Sequence, residues 1–210
     1  MRPRLLDVGC AHGWFIEANC ETFDVTGIEP DPTVARATLA RGLRIRTGLI
    51  PDVLGSEEKF DVIVFNDVLE HTPQINDILS ACSSHLSSDG LLVVNASSRT
   101  GFLYKLSKVL AFSKLGGAFD RLWQRGLPSP HVHYLDECSM RTLAENNGFS
   151  MESVLSSPSV AANGLYERIH CSNNVSKPKA FAIANIVTLG IPFLAILPPD
   201  IEVWFLRKLH

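Results

Sequence analysis

Three short segments bring together the residue types that chemistry needs. The first is Asp7-Val8-Gly9-Cys10-Ala11-His12-Gly13. Glycines where a strand turns into a helix allow positive φ and let a ligand approach the backbone closely. The free amides that open the following helix suit a carboxylate. The second is Glu29, an acid closing the next apolar run and able to accept both hydroxyls of a ribose. Nicotinamide enzymes place an acid similarly, so Glu29 alone does not choose between nucleotide-like ligands. The glycine spacing does choose. A dinucleotide turn needs G-x-G-x-x-G around the pyrophosphate, whereas here Gly9 is followed by Gly13. A nicotinamide-linked enzyme is therefore disfavoured. The third segment is Asn66-Asp67-Val68-Leu69-Glu70-His71. His71 is a candidate general base because imidazole titrates near neutral pH; the alternative is a histidine that only caps backbone. His131 and His133 lie further along, on the side where a substrate should enter, as does Tyr104.

These residues need a scaffold that alternates strand and helix. Arg4–Val8 is a short apolar run ending in an acid and a glycine turn, hence a buried strand. Trp14 to Cys20 has helical spacing. Asp24–Ile28 is a second strand, Thr33–Arg41 a helix stopped by Gly42, and Leu43–Thr47 a strand nearer an edge. Phe60–Phe65 is strongly apolar and strand-like, Gln74–Leu86 helical, and Leu91–Asn95 a buried strand after an Asp89-Gly90 turn. A parallel sheet with helices on both faces follows, with strand C-termini on one edge where ligands bind. The rhythm breaks after Asn95, and Ser97 to Pro130 is an irregular substrate-side insert. A helix resumes behind Asp136, its N-cap, and ends at Asn147-Gly148. Phe149–Leu155 and Ile201–Leu206 are the remaining strands.

Composition narrows the partners. The net charge of −3 and the scattered Lys and Arg provide no field for nucleic acid. The five cysteines are odd in number and include no C-x-x-C pair, which suits a reducing, cytoplasmic compartment. Met1-Arg2-Pro3-Arg4 runs straight into the strand pattern, without an apolar leader.

The Asp-x-Gly-x-Ala-x-Gly spacing resembles motif I of class I S-adenosylmethionine methyltransferases, with Ala11 at the middle glycine. Phe60-Asp61-Val62-Ile63-Val64-Phe65-Asn66-Asp67-Val68-Leu69-Glu70-His71 resembles the "FDV…VLEH" segment of ubiquinone-biosynthesis-like and related small-molecule methyltransferases. Leu86-Ser87-Ser88-Asp89-Gly90-Leu91 is similar to the turn before their fifth strand, and His133-Tyr134-Leu135 through Gly148-Phe149 to the approach to their sixth. The resemblance implies an α/β, Rossmann-like three-layer sandwich, with a mostly parallel seven-stranded sheet and an antiparallel last strand. It implies S-adenosylmethionine as cofactor and a small-molecule substrate carrying an O, N or C nucleophile. Asp7, Gly9, Ala11 and Gly13 would shape the methionine pocket, Glu29 hold the ribose, Leu49 or Ile50 flank the adenine, and Asn66 and Asp67 lie near the methyl sulfonium. Asp67, Glu70 and His71 are also similar to a set proposed to bind a divalent metal in ubiquinone-type O-methyltransferases; the expectation here is no metal.

Members of this family usually have a helix before the first strand that covers the cofactor. Here the strand begins at Arg4, and the expectation is a truncated gene product, or a cover supplied by the 97–130 insert or by a partner. Phe102, Tyr104, Phe112, Phe119 and Trp123 are its candidate lid residues. The alternative to an enzyme is a non-catalytic, methyltransferase-like binding or assembly module. The single domain spans 1–210 and includes an apolar helical segment, 177–200, before the last strand. Ala180 to Leu197 has no charge. Asn185, Gly190 and Pro192 make it a poor membrane span, so packing, a homodimer contact or peripheral membrane contact is expected.

Overall fold

Runs of β-branched and apolar residues bounded by glycine and acid turns set the strands, and the computed structural model places them in one sheet. It describes residues 1–110, 129–157, 164–173, 176–194 and 196–209. The elements are β1 (Arg4–Val8), α1 (Trp14–Asn19), β2 (Asp24–Glu29), α2 (Pro32–Leu39), β3 (Ile45–Thr47), β4 (Phe60–Asn66), a 3-10 turn (Leu69–His71), α3 (Ile75–His85) and β5 (Leu86–Ser97). They continue with α4 (Phe102–Leu110), α5 (Glu137–Asn146), β6 (Phe149–Ser157), α6 (Leu165–Asn173), α7 (Lys177–Leu194) and β7 (Ile201–Lys208).

The sheet order is β3-β2-β1-β4-β5-β7-β6. Pairings from β3 through β5 are parallel. β7 is antiparallel to both β5 and β6, so the last strand alone runs against the sheet. Chain order reverses between β1 and β4. That switch point leaves a crevice beyond the strand C-termini, where α/β sheets bind ligands.

Alternation along each strand splits the core into two layers. Leu6, Val8, Ile63, Phe65, Leu92 and Val94 face α3 and α5, together with Trp204 and Leu206 of β7. Leu5, Val25, Ile45 and Val64 face the other way, with Ile16 of α1 and Ala35 of α2. Three layers result, as the resemblance implies.

Several boundaries differ from the sequence expectation. Helix α2 starts at Pro32 because Asp31 caps it, accepting from the Thr33 and Val34 amides. Asp89-Gly90 does not precede β5 as a separate turn. Phe60 pairs with Leu86 and Val62 with Leu91, so 87–90 bulge out within one strand. The stretch read as irregular after Ser97 contains α4. Leu103, Leu106, Ser107 and Leu110 sit at helical spacing on its more buried side, a stripe hidden in sequence by Tyr104, Lys105 and Lys108. Helix α6 was not anticipated. Asp136 caps α5 as expected, forming a reciprocal capping box with Ser139. Phe112, Phe119 and Trp123 lie outside the described residues.

Candidate functional site

The turn after β1 passes through the left-handed region three times, at Gly9 (φ 73°), Ala11 (φ 44°) and Gly13 (φ 76°). The Gly9 and Cys10 amides both donate to the Ile28 carbonyl, at 2.8 and 3.0 Å, pinning the turn to β2. Ala11 is held at both polar groups. Its amide donates to Glu29 Oε2 at 2.9 Å, and its carbonyl accepts from Thr38 Oγ1 at 3.0 Å. An alanine here bears left-handed strain of about 1–2 kcal/mol that a glycine would avoid. Ala11→Gly is therefore expected to raise stability by about 1 kcal/mol after the unfolded-state entropy of glycine is subtracted. Urea denaturation checks this; a loss of stability would show that the angle carries no strain.

Glu29, at the C-terminal end of β2, is only 8% exposed. Its Oε1 accepts from the Asp31 amide at 2.9 Å while Oε2 holds Ala11. One carboxylate thus ties together the loops after β1 and β2. Each oxygen retains a second lone pair for a further donor such as a ribose hydroxyl.

Asp7 closes the group. It lies next to Gly27 of β2 and Val64 of β4 in register and is 2% exposed. Its Oδ2 has no hydrogen-bond partner among the described residues. Burial pushes its carboxyl up to about 7. A buried acid with one free oxygen fits a cationic ligand group, and Glu29 fits a diol. The residues present therefore suit an amino-acid nucleoside better than a dinucleotide.

Beyond β3, Leu49 is exposed, whereas Ile50 belongs to the core. Asn66 ends β4 half-buried. Asp67 follows with φ 59°, its amide donating to the Asn95 carbonyl at 2.9 Å. Glu70 is 1% exposed. Its Oε1 accepts from the Ser97 amide at 3.1 Å, and its backbone carbonyl accepts from the Val132 and His133 amides at 2.9 and 3.1 Å. Burial first, then the neighbouring Asp67 charge, pushes the Glu70 carboxyl up to about 8.

This clamp brings His131 beside His71, their rings 4.5 Å apart edge to face. His71 Nδ1 lies 3.2 Å from the Pro130 carbonyl and must carry the proton to bond it, which leaves Nε2 as the basic nitrogen. His131 Nδ1 lies 3.0 Å from the Tyr134 hydroxyl, and the Tyr134 ring packs on that of Tyr104 of α4, centroids 4.8 Å apart and tilted by 45°. The outer nitrogens of His131 and His133 are buried without a hydrogen-bond partner among the described residues. Burial and the neighbouring His71 lower the His131 pKa. Asp67, Glu70 and His131 each bring one potential ligand atom within 4.8 Å of the others. His131, not His71, completes that trio. The structure thus gathers all the singled-out polar residues at the strand C-terminal edge, in two adjoining groups. Sequence reasoning missed Tyr134 as a contact of His131 and Glu70 as the clamp for 131–133. The His133-Tyr134-Leu135 signal was available but pointed only to an approaching strand.

Comparison with known proteins identifies the family. Residues 2–154 match the methyltransferase domain family. The ubiquinone biosynthesis O-methyltransferase of Actinobacillus pleuropneumoniae serotype 7 is 35% identical over 115 residues, 49% of this chain and 49% of that protein. The Bordetella avium protein of the same name is 28% identical over 154 residues, 69% of this chain and 61% of that protein. The chain thus spans about half to two thirds of the length of these curated relatives. Among solved structures, a SAM-dependent methyltransferase from Archaeoglobus fulgidus superposes with a TM-score of 0.63 at 15% identity, covering 99% of this chain and 86% of that one. A mycolic acid cyclopropane synthase complexed with SAH and CTAB gives 0.67 at 18% identity, over 99% of this chain and 78% of that one. At such identities the superpositions speak for the fold. With the match over residues 2–154, they place this chain in the methyltransferase domain family, within the class I S-adenosylmethionine-dependent group.

Proposed function

We propose that the protein transfers a methyl group from S-adenosylmethionine to a small-molecule acceptor. The observation that carries this reading is the pairing of Glu29, clamped between two loop amides, with Asp7, whose buried oxygen is free. When bound, the cofactor supplies a methyl group already activated on a sulfonium. The protein's task is then mainly alignment and exclusion of water. Asp7 would hold the cationic amino group, and the Gly9–Gly13 turn would wrap the methionine portion. Glu29 would take the ribose hydroxyls, and Leu49, exposed where Ile50 is buried in the core, would flank the base. Asn66 and Asp67 would border the reacting centre. His71, with Nε2 free, is the proposed acceptor of a proton from the substrate, and His131, His133 and Tyr104 would line the substrate's side. A reducing cytoplasmic setting fits Cys10, Cys20, Cys82 and Cys138, all of which are free thiols.

Calorimetry with S-adenosylhomocysteine, which carries the same ammonium and ribose, tests the reading. Asp7 is protonated below about 7 in the free protein and must lose that proton to pair with the ammonium. Affinity should therefore rise with pH, by up to tenfold per unit, and level off above about pH 7. Asp7→Asn should bind more weakly and lose that slope. Absence of binding at every pH would overturn the proposed function. A flat wild-type profile with tight binding would remove only the role of Asp7.

A further inference from the structure

Helix α7 carries a large surface for which the chain supplies no cover among the described residues. Its main packing partner is α6. Ala180 and Ala184 are buried, and Val187 and Ile191 continue that stripe half-buried. The opposite side bears Phe181, Ile183, Ile186, Leu189 and Phe193, with exposures from 42% to 75%. Ile196, just beyond the helix, is 84% exposed. Among the described residues, no helix is long and apolar enough to cross a membrane.

We propose that this face seats the protein on the surface of an anionic lipid bilayer, with α7 lying in the plane of the interface. Two observations select a bilayer over a second copy of the chain. The first is angular. At 100° per residue, Phe181 and Ile183 bound an arc of roughly 200°, with Leu189, Phe193 and Ile186 between them. The exposed Asn185 also lies in this arc, and its side-chain amide donates to the Phe181 carbonyl at 2.8 Å. A surface helix packed on protein typically buries an apolar stripe of about 100° or somewhat more, so one partner helix would leave part of this arc in water. A fluid hydrocarbon boundary covers the whole arc.

The second is charge. Lys177 and Lys179 are exposed in the first turn, and no acid occurs from Lys177 through Pro199. Cations at a helix N-terminus oppose the helix dipole, so helix stability does not explain them. They complement anionic headgroups flanking an apolar surface. The geometry also sets the orientation of the candidate site. Just past α7, the Pro198 carbonyl accepts from the Phe102 amide, Asp200 Oδ1 accepts from the Leu103 amide, and the Asp200 carbonyl accepts from the Ser98 amide. The C-terminal end of α7 is thereby tied to the sheet edge that carries Asn66, Asp67 and Glu70, so docking would hold that edge close to the lipid. This inference rests on the helix and stands apart from the proposed methyl transfer.

Vesicle flotation of the full chain tests it. The protein should float with vesicles of phosphatidylcholine mixed with phosphatidylglycerol, less so with phosphatidylcholine alone, and less as salt rises. Lys177→Gln with Lys179→Gln should reduce partition at least about tenfold, and Ile186→Glu with Phe193→Glu should abolish it. Melting temperatures equal to the wild type show that the variants are folded; if the double glutamate variant is not, Leu189→Glu repeats the test at one exposed position. Failure of the wild type to float with either vesicle would overturn the proposal. So would equal binding to both vesicles without a lysine effect, or a solution dimer that Ile186→Glu with Phe193→Glu converts to monomer.

Discussion

Gly9→Ala should destabilise the protein by roughly 1–4 kcal/mol after the smaller unfolded-state entropy of alanine is subtracted, a large part of a typical domain's total stability. Two effects combine. At φ 73° an L-residue incurs left-handed strain of about 1–2 kcal/mol. The added Cβ would also sit 2.5 Å from Val68 Cγ2 and 3.0 Å from Cγ1, an overpacking cost of about 1–3 kcal/mol. Val68 has little room to retreat. Its carbonyl accepts from the His71 amide and the Thr72 hydroxyl, and the next two residues, Leu69 and Glu70, are 0% and 1% exposed. Urea denaturation separates the two effects. Val68→Ala in the Gly9→Ala background removes the close methyl groups, so the pair should lose less than the two single changes added together. Strict additivity would rule out the contact as a cause, and a loss below about 1 kcal/mol in Gly9→Ala would rule out both.

That contact also shows where sequence reading stops. The strand-helix alternation is legible because apolar runs and glycine turns are local, and β1, β2, β4 and the cap at Asp136 appear within a residue or so of expectation. The insertion of β7 between β5 and β6 depends on pairing across the chain; family resemblance implies its antiparallel sense, and its place in the order comes from the structure. Ala11 marks a finer limit. A missing glycine is visible in the letters, but the 44° angle is imposed by Glu29 and Thr38, which grip both of its polar groups. The second group of site residues follows the same logic. His71 stands out by type and by its neighbour Glu70. That His131 packs on it follows from two amides after Pro130 donating to the Glu70 carbonyl, a link no local pattern encodes. Helix α4 escapes sequence reading for a different reason: its apolar stripe is real but is diluted by Tyr104, which packs on Tyr134, and by Lys105 and Lys108 on the open side.

Glu29→Ala is expected to weaken S-adenosylhomocysteine binding about 100-fold or more while lowering the melting temperature of the free protein. The binding loss follows from removing the charged acceptor proposed for two ribose hydroxyls, at about 1.5–3 kcal/mol per hydrogen bond. The stability loss has a separate origin, because the Ala11 and Asp31 amides lose their acceptor, at about 1–3 kcal/mol for each one left without a partner. Glu29→Gln distinguishes a carboxylate from mere side-chain bulk. A glutamine has one acceptor oxygen and one NH2 group, whereas the two loop amides approach opposite ends of the glutamate. The NH2 must then face a backbone donor at one of them, so the isosteric variant should lose both affinity and stability, though less than alanine does. Wild-type affinity in Glu29→Gln would mean that the carboxylate does not hold the ribose. Wild-type stability in Glu29→Ala would mean that the loops after β1 and β2 keep their places without it, and that the ligand-facing geometry is set by the Gly9 and Cys10 amides on the Ile28 carbonyl.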